Sequence, residues 1–393
     1  MKKTVVLIVL VMFALVWGCK KNTMAPEPGP TPTNTPVTVE DVGESKITDI
    51  VITGLTMKID SNGTVYLAYY DRTNVNNLKI VVKRLSAGGT TWEDLSNGLE
   101  VLASSDGTDA FSFELNENGI PFMVIRDAQY SGKATTMKYE GGAWVVLGQR
   151  GFSQFEVNKL ALSVKGSQVF IAYGNSSDNT STLKTVKYDS DSNSFTVLCD
   201  NDFSNGRVWS VLTCMKDDYP IISSTSYNTT RADVFTYNIA SDTWENIGPI
   251  DAGSGQSYAK HLFYQNGYLY IYYSDSAELK YILKRYDFSS QTWDRLFDKA
   301  IESNVDYKSM IYFKNTFYTG EIWDNFYYSP NIPRIMKYDF SKDEWIAVLD
   351  GNDIYWSWEF AMAEYGDYLY YAYERAIYNG CPDNGLYVKK IRQ

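Results

Sequence analysis

Asn118-Gly119-Ile120-Pro121-Phe122-Met123-Val124-Ile125-Arg126-Asp127 is a turn that runs straight into an apolar strand, and the chain repeats this element. The turn recurs at Gly63, Gly119, Ser167, Asp218, Gly267, Asn315 and Gly366, at intervals of 56, 48, 51, 49, 48 and 51 residues. Seven copies at so even a spacing are the signature of a repeat architecture. The strands that follow, such as Val65-Tyr66-Leu67-Ala68-Tyr69 and Leu269-Tyr270-Ile271-Tyr272, are short, aromatic and branched, which predicts β-structure. About twenty residues on, a third strand ends in Lys138-Tyr139, Lys187-Tyr188-Asp189, Tyr237-Asn238, Tyr286-Asp287 or Tyr338-Asp339. A polar turn then leads to an aromatic in a fourth strand: Trp92, Trp144, Phe195, Trp244, Trp293 or Trp345.

Four strands per repeat predict an all-β chain, a seven-bladed β-propeller over residues 44–393, in which radial repetition leaves only short, protected edges. The last repeat lacks a tryptophan strand, while an orphan strand, Ile47-Thr48-Asp49-Ile50-Val51-Ile52, precedes the first. This N-terminal strand is expected to complete the last blade, which removes two open edges with one interaction. A solenoid would instead need distinct caps, and the sequence has none.

The Tyr-Asp turn followed by Trp resembles kelch and galactose-oxidase-like propellers, although the Gly-Gly pair of kelch repeats after the second strand is absent. Residues 118–127, with Lys133-Ala134-Thr135-Thr136-Met137-Lys138-Tyr139 and Trp144-Val145-Val146-Leu147-Gly148, are similar to a family of secreted bacterial propeller repeats. The resemblance covers residues 47–391 and implies the fold. It brings no catalytic residues.

Composition narrows the function. The 393 residues are 44% hydrophobic and 15% aromatic, which excludes a disordered chain. Lys plus Arg total 36 against 47 Asp plus Glu, a net charge of −11, so nucleic acid is not an expected partner. With His261 the single histidine, no site can have two His ligands. Four cysteines are too few for a disulfide framework.

The first residues read as an address. Met1-Lys2-Lys3 is a basic start and Thr4 to Trp17 an apolar run of secretory-signal length, too short for a comfortable membrane span. Val16-Trp17-Gly18-Cys19 resembles a bacterial lipoprotein signal, with residues 1–18 removed and Cys19 lipidated. An ordinary signal peptide is the competing account. Residues 19–43 hold five prolines, Pro26, Pro28, Pro30, Pro32 and Pro36, and predict a flexible tether. The expected location is therefore the bacterial envelope, periplasmic or at the cell surface, with a lipid as the membrane attachment.

Two constellations are candidates for binding. The position eight residues past each turn holds Asp71, Asp127, Asn175, Ser226, Asp275, Trp323 and Glu374, where each second strand meets the upper face. An acidic ring of Asp71, Asp127, Asn175, Asp275 and Glu374 suits a cation, sugar hydroxyls or a basic partner. Equally, Asp and Asn start turns by bonding their own backbone. The other constellation is aromatic: Trp323, Asp324, Tyr327 and Tyr328 in a long loop of blade six, Tyr355, Trp356 and Trp358 in the connection to blade seven, and Arg375 and Tyr378 in that blade's loop. Flat rings among Asp, Asn and Arg suit carbohydrate or peptide binding, whereas packing within long loops would hide them.

No cofactor is expected. Asp189-Ser190-Asp191-Ser192-Asn193 matches the first ligand positions of a calcium-binding EF-hand loop, but its Gly and distal Glu are missing, and a solvated turn fits the hairpin better. His261 lies on a first strand with no nucleophile elbow near it, so a structural role is expected and no catalytic residue is assigned. The chain is expected to be a monomeric, non-catalytic module that binds a glycan, a peptide or an envelope protein. A glycan-active enzyme using carboxylates and tyrosines and a scaffold subunit of an envelope complex are the alternatives.

Overall fold

The computed structural model describes residues 37–74, 78–97, 99, 111–175, 182–199, 208–226, 230–249, 256–301, 305–323, 332–350, 357–375 and 384–393. Each repeat forms a four-stranded antiparallel sheet in simple up-and-down order, and there are seven such sheets. Seven apolar clusters join them, one at every junction between neighbouring blades, including blade seven with blade one. The chain is an all-β, seven-bladed propeller.

Each blade is sandwiched between two others, which explains the unbroken apolar text of the second strands. In Val65–Asp71, Leu67, Ala68, Tyr69 and Tyr70 are all fully buried, although they alternate between the two faces of the sheet. The outer strand Thr292–Ala300 instead exposes Thr292, Asp294, Arg295 and Ala300 and fully buries Phe297 alone. The repeated Tyr and Trp meet in the outer hairpin. Tyr139 and Trp144 are cross-strand partners with ring centroids 5.5 Å apart, and Tyr286 and Trp293 lie 5.0 Å apart. Trp144 Nε1 donates to the Leu95 carbonyl at 2.7 Å and Trp293 Nε1 to that of Ile247 at 2.8 Å, so these two rings also tie blades two and five to the blade before. Where two blades approach most closely the sequence uses glycine: a Cβ on Gly320 would stand 2.2 Å from the Phe360 ring.

Ring closure uses a different segment from the expected one. Val39–Asp41 is the outer strand of blade seven, pairing antiparallel with Lys389, Lys390 and Ile391 of Gly385–Arg392. Of the segment 47–52, only Ile47 and Thr48 follow that edge, through bonds to Leu386, while Ile52 opens the inner strand of blade one. The closing strand is short, polar and exposed, with Glu40 and Asp41 paired to Lys390 and Lys389. Its sequence has none of the apolar text by which strands are recognised, because an outermost strand buries little.

The inner strands share one irregularity that matters for the site. Register shifts in blades one, three, four, five and six leave an extra residue on the inner strand, at Gly54-Leu55, Asn158, Trp209, Lys260 and Lys308, opposite the end of the second strand in blades three and four and slightly deeper in the others. Such bulges bend a strand and re-aim the extra side chain. All lie near the end of the barrel axis where inner strands begin and second strands finish, here called the upper mouth.

Candidate functional site

The seven second strands end at Asp71, Asp127, Asn175, Ser226, Asp275, Trp323 and Arg375. Register thus puts Arg375 at this level in blade seven, with Glu374 one residue earlier and directed to the opposite face of its sheet. Asp127 is buried; its Oδ1 accepts from the Gln129 amide at 3.0 Å, and its Oδ2 from Thr135 Oγ1 at 2.8 Å and Arg150 Nε at 2.9 Å. Asp275 is buried, and its Oδ1 accepts from the amides of Ala277 and Glu278 at 2.8 and 2.9 Å. Half-buried Asp71 accepts from the Thr73 amide at 2.7 Å, and Asn175 is buried. The three aspartates thus start their own turns, as short polar side chains at strand ends do.

Glu374 forms a separate group with Glu359 at the junction of blades seven and one. Glu374 Oε1 accepts from the Ile52 amide at 2.9 Å; Glu359 accepts from Thr53 Oγ1 at 2.9 Å and from the bulge amide of Leu55 at 3.2 Å. Burial raises the Glu374 carboxyl to about 7; the Ile52 bond opposes this, the Glu359 charge adds to it, and Arg72 and Lys308 oppose it. A pair of carboxyls with an arginine in electrostatic reach is therefore present at the mouth, but their oxygens hold the inner strand of blade one in place.

The aromatic candidates are divided by the structure. Cys19, Asp324, Tyr327, Tyr328, Tyr355, Trp356 and Tyr378 lie outside the described residues. Trp323 closes its strand opposite Val305 and Ile332. Arg375 lies 4.2 Å from the Tyr387 ring centroid and donates to Tyr373 Oη at 3.3 Å, so its guanidinium is stacked on blade seven. Trp358 leads into the inner strand Phe360–Tyr365 and is 50% exposed.

The structure adds an aromatic pair that sequence reasoning did not single out. Trp209, the bulge residue of blade four, is 37% exposed, and its ring meets Tyr258 of blade five edge-on, centroids 5.2 Å apart at 83°. Tyr258 Oη donates to Gln256 Oε1 at 2.6 Å. Both residues read as ordinary core aromatics of first strands. The available signal was positional, since the bulges of blades three, five and six carry Asn158, Lys260 and Lys308, where blade four carries a tryptophan.

Below the mouth, the axis encloses a cavity of about 650 Å³ whose lining includes Lys58, Glu114, His261, Lys308 and Glu364. Lys58 and Glu114 are paired at 2.6 Å. Burial, helped by Lys260, pushes the His261 imidazole down to about 4, which leaves it neutral near pH 7. Glu364 is exposed to the cavity, and desolvation between its walls pushes the carboxyl up to about 7. Cys214 is a free thiol on the inner strand Val208–Lys216, and burial raises its pKa, so little reactive thiolate forms. Among the described residues no three His, Cys, Asp or Glu side chains are grouped to hold a metal ion. The segment Asp189 to Asn193 forms a hairpin turn in which Asp189 accepts from the Asp191 amide at 2.9 Å and from Ser192 Oγ at 2.8 Å.

No protein-family model matches the sequence, and no curated protein matches it either. Solved propellers do superpose on it. An oligogalacturonate lyase in complex with manganese does so with a TM-score of 0.58 at 7% identity, over 91% of this chain and 96% of that one. The oligogalacturonate lyase of Vibrio parahaemolyticus gives 0.57 at 10% identity, over 90% and 96%. Polysaccharide lyase Uly1 gives 0.56 at 8% identity, over 87% and 90%. At these identities the likeness establishes the fold.

Proposed function

We propose that this propeller is a non-catalytic glycan-binding module of the bacterial envelope, held to a membrane by a lipid on Cys19, with its ligand at the upper mouth. The observation that carries the binding site is the Trp209–Tyr258 pair, with Gln256 at its polar edge. An exposed indole on a rigid inner strand loses little conformational freedom when a sugar ring stacks on it, and amide and phenol tips orient hydroxyls. Trp358 is a second exposed ring at the same mouth, on blade seven. Cleavage of the glycan, suggested by the Glu359 and Glu374 pair and by the lyase names of the propellers with this fold, needs carboxyls free to move protons. Here both are engaged with the backbone and side chains of blade one, which favours binding over catalysis.

Trp209→Ala is expected to weaken binding to the best ligand on a glycan array by about 2 kcal/mol or more. The melting temperature should barely move, because the ring is partly exposed. Calorimetric titration of both proteins decides it: equal affinities would remove the pair from the site, and selection of peptides over glycans would reassign the ligand. The anchor is tested separately. Cys19→Ser is expected to release the protein from membranes into the soluble fraction, and its full retention after a salt wash would exclude a lipid on that residue.

A further inference from the structure

The contact between blades seven and one is strapped by two acidic side chains that take backbone amides of blade one, and one of them is fully buried. Glu374, fully buried, reaches the Ile52 amide with one oxygen at 2.9 Å, and its second oxygen is buried without a partner among the described residues. Glu359, immediately before the inner strand Phe360–Tyr365 of blade seven, accepts from Thr53 Oγ1 and the Leu55 amide. The Glu374 amide donates to the Glu359 carbonyl at 3.2 Å, so the two carboxyls are fixed to one another through their own backbone. Between the inner strands of blades two and three and of blades six and seven, hydroxyls make the bond: Ser112 Oγ accepts from the Leu162 amide at 3.1 Å and Ser309 Oγ from the Met362 amide at 3.2 Å, while the carboxylate that bonds blade three from blade two, Glu117 to the Gly166 amide at 2.6 Å, is exposed. A hydroxyl bond is indifferent to pH near neutrality, and a carboxyl pair is not.

We propose that Glu359 and Glu374 form a proton-dependent latch that holds blade seven to blade one and sets the position of Trp358, the residue next to Glu359. With a proton on Glu374 the pair carries one charge, and both straps hold. Loss of that proton puts a second negative charge into the buried contact, where one of its oxygens has no donor, and solvation of the charge then requires the contact to open. The groups facing Glu374 are Glu359, which adds to this effect, and Arg72 and Lys308, which oppose it; Lys308 is itself paired with Asp306 at 2.7 Å. Since the folded carboxyl is raised, its contribution to closure is complete below the ordinary glutamate range and is lost as pH rises through about 7. Opening therefore belongs to neutral and alkaline conditions. That Trp358 contributes to ligand binding rests on the function proposed above; the latch itself does not.

Hydrogen–deuterium exchange of the intact protein without ligand tests the latch alone. Peptides covering residues 39–59 and 357–375 are compared with those covering 257–275 of blade five, so that the general rise of exchange with pH cancels. Between about pH 5.5 and about pH 8.5, protection at the blade seven and one contact is expected to fall roughly tenfold relative to blade five. Glu374→Gln keeps the acceptor for the Ile52 amide and cannot ionise, so it should abolish that fall while leaving protection at the lower pH unchanged. Glu364→Gln, on the same blade, should leave the fall intact. A pH-independent ratio in the parent protein, a fall that survives in Glu374→Gln, or one that disappears in Glu364→Gln would each overturn the latch. Loss of glycan affinity with rising pH but unaltered protection would likewise place the pH dependence elsewhere, leaving the binding function standing.

Discussion

Deletion of residues 37–42 is expected to destabilise the propeller by roughly 3–5 kcal/mol, as the sum of a buried valine and several ladder and amide bonds. Val39–Asp41 contributes the whole outer strand of blade seven, Val42 is buried in the cluster shared by blades seven and one, and its amide donates to the Val388 carbonyl at 3.1 Å. Removing them uncovers the edge of Gly385–Arg392, which is hydrogen-bonded on its other side along its length. An uncovered edge invites pairing with a second chain, so dimers or larger species should appear in size-exclusion chromatography as stability falls. The comparison is with a chain lacking residues 22–34, which should unfold in urea at the same midpoint as the parent. If the chain lacking 37–42 unfolds at that midpoint too, the ring does not depend on the closing strand.

A second large loss is expected from Lys299→Met. Glu321 is fully buried on the second strand of blade six, and Lys299 of blade five meets its Oε1 at 2.7 Å while lying over the rings of Tyr307 and Trp345. Thr319 Oγ1 is the other donor to that carboxylate among the described residues, at 3.1 Å. Removing the ammonium leaves a charge in an apolar junction, at a cost of about 3–5 kcal/mol. The double variant Lys299→Met, Glu321→Leu should recover most of that loss, since an apolar pair of similar volume replaces a desolvated ion pair at little net cost. Urea unfolding of the two single variants and the double variant gives the coupling directly. Additive losses would mean that the two side chains do not act as a pair.

Much of this molecule was legible because a propeller repeats its environment as well as its chain. Each second strand is covered on both faces by neighbours, so Leu67 to Tyr70 and their counterparts must be apolar without alternation, and that demand recurs every fifty residues or so. The outer-hairpin Tyr and Trp recur for the same reason, meeting across one turn, and Trp144 and Trp293 also bond the blade before. Turn chemistry was equally local: Asp127, Asp275 and Asp189 bond amides two or three residues away, and such bonds can be read from spacing alone.

Blade number, strand order and the need for an N-terminal strand in the last blade were thus determined by the sequence itself, through periodicity and the missing final strand. Which strand closes the ring was decided only in three dimensions. Val39–Asp41 lies on the periphery, where burial makes almost no demand on composition, whereas the more apolar stretch 47–52 leaves the edge of blade seven after Thr48 and ends in Ile52, the first residue of blade one's inner strand. The same holds at the upper mouth. Trp209 is turned out by a bulge, and a one-residue shift of register moves a side chain from one face of a sheet to the other without any mark in composition. The pairing of Glu359 and Glu374 with blade one joins residues about three hundred positions apart, at distances set by closure of the ring. Local propensity and pattern determine what each blade is; the contacts between the first and last blades exist only once all seven have packed.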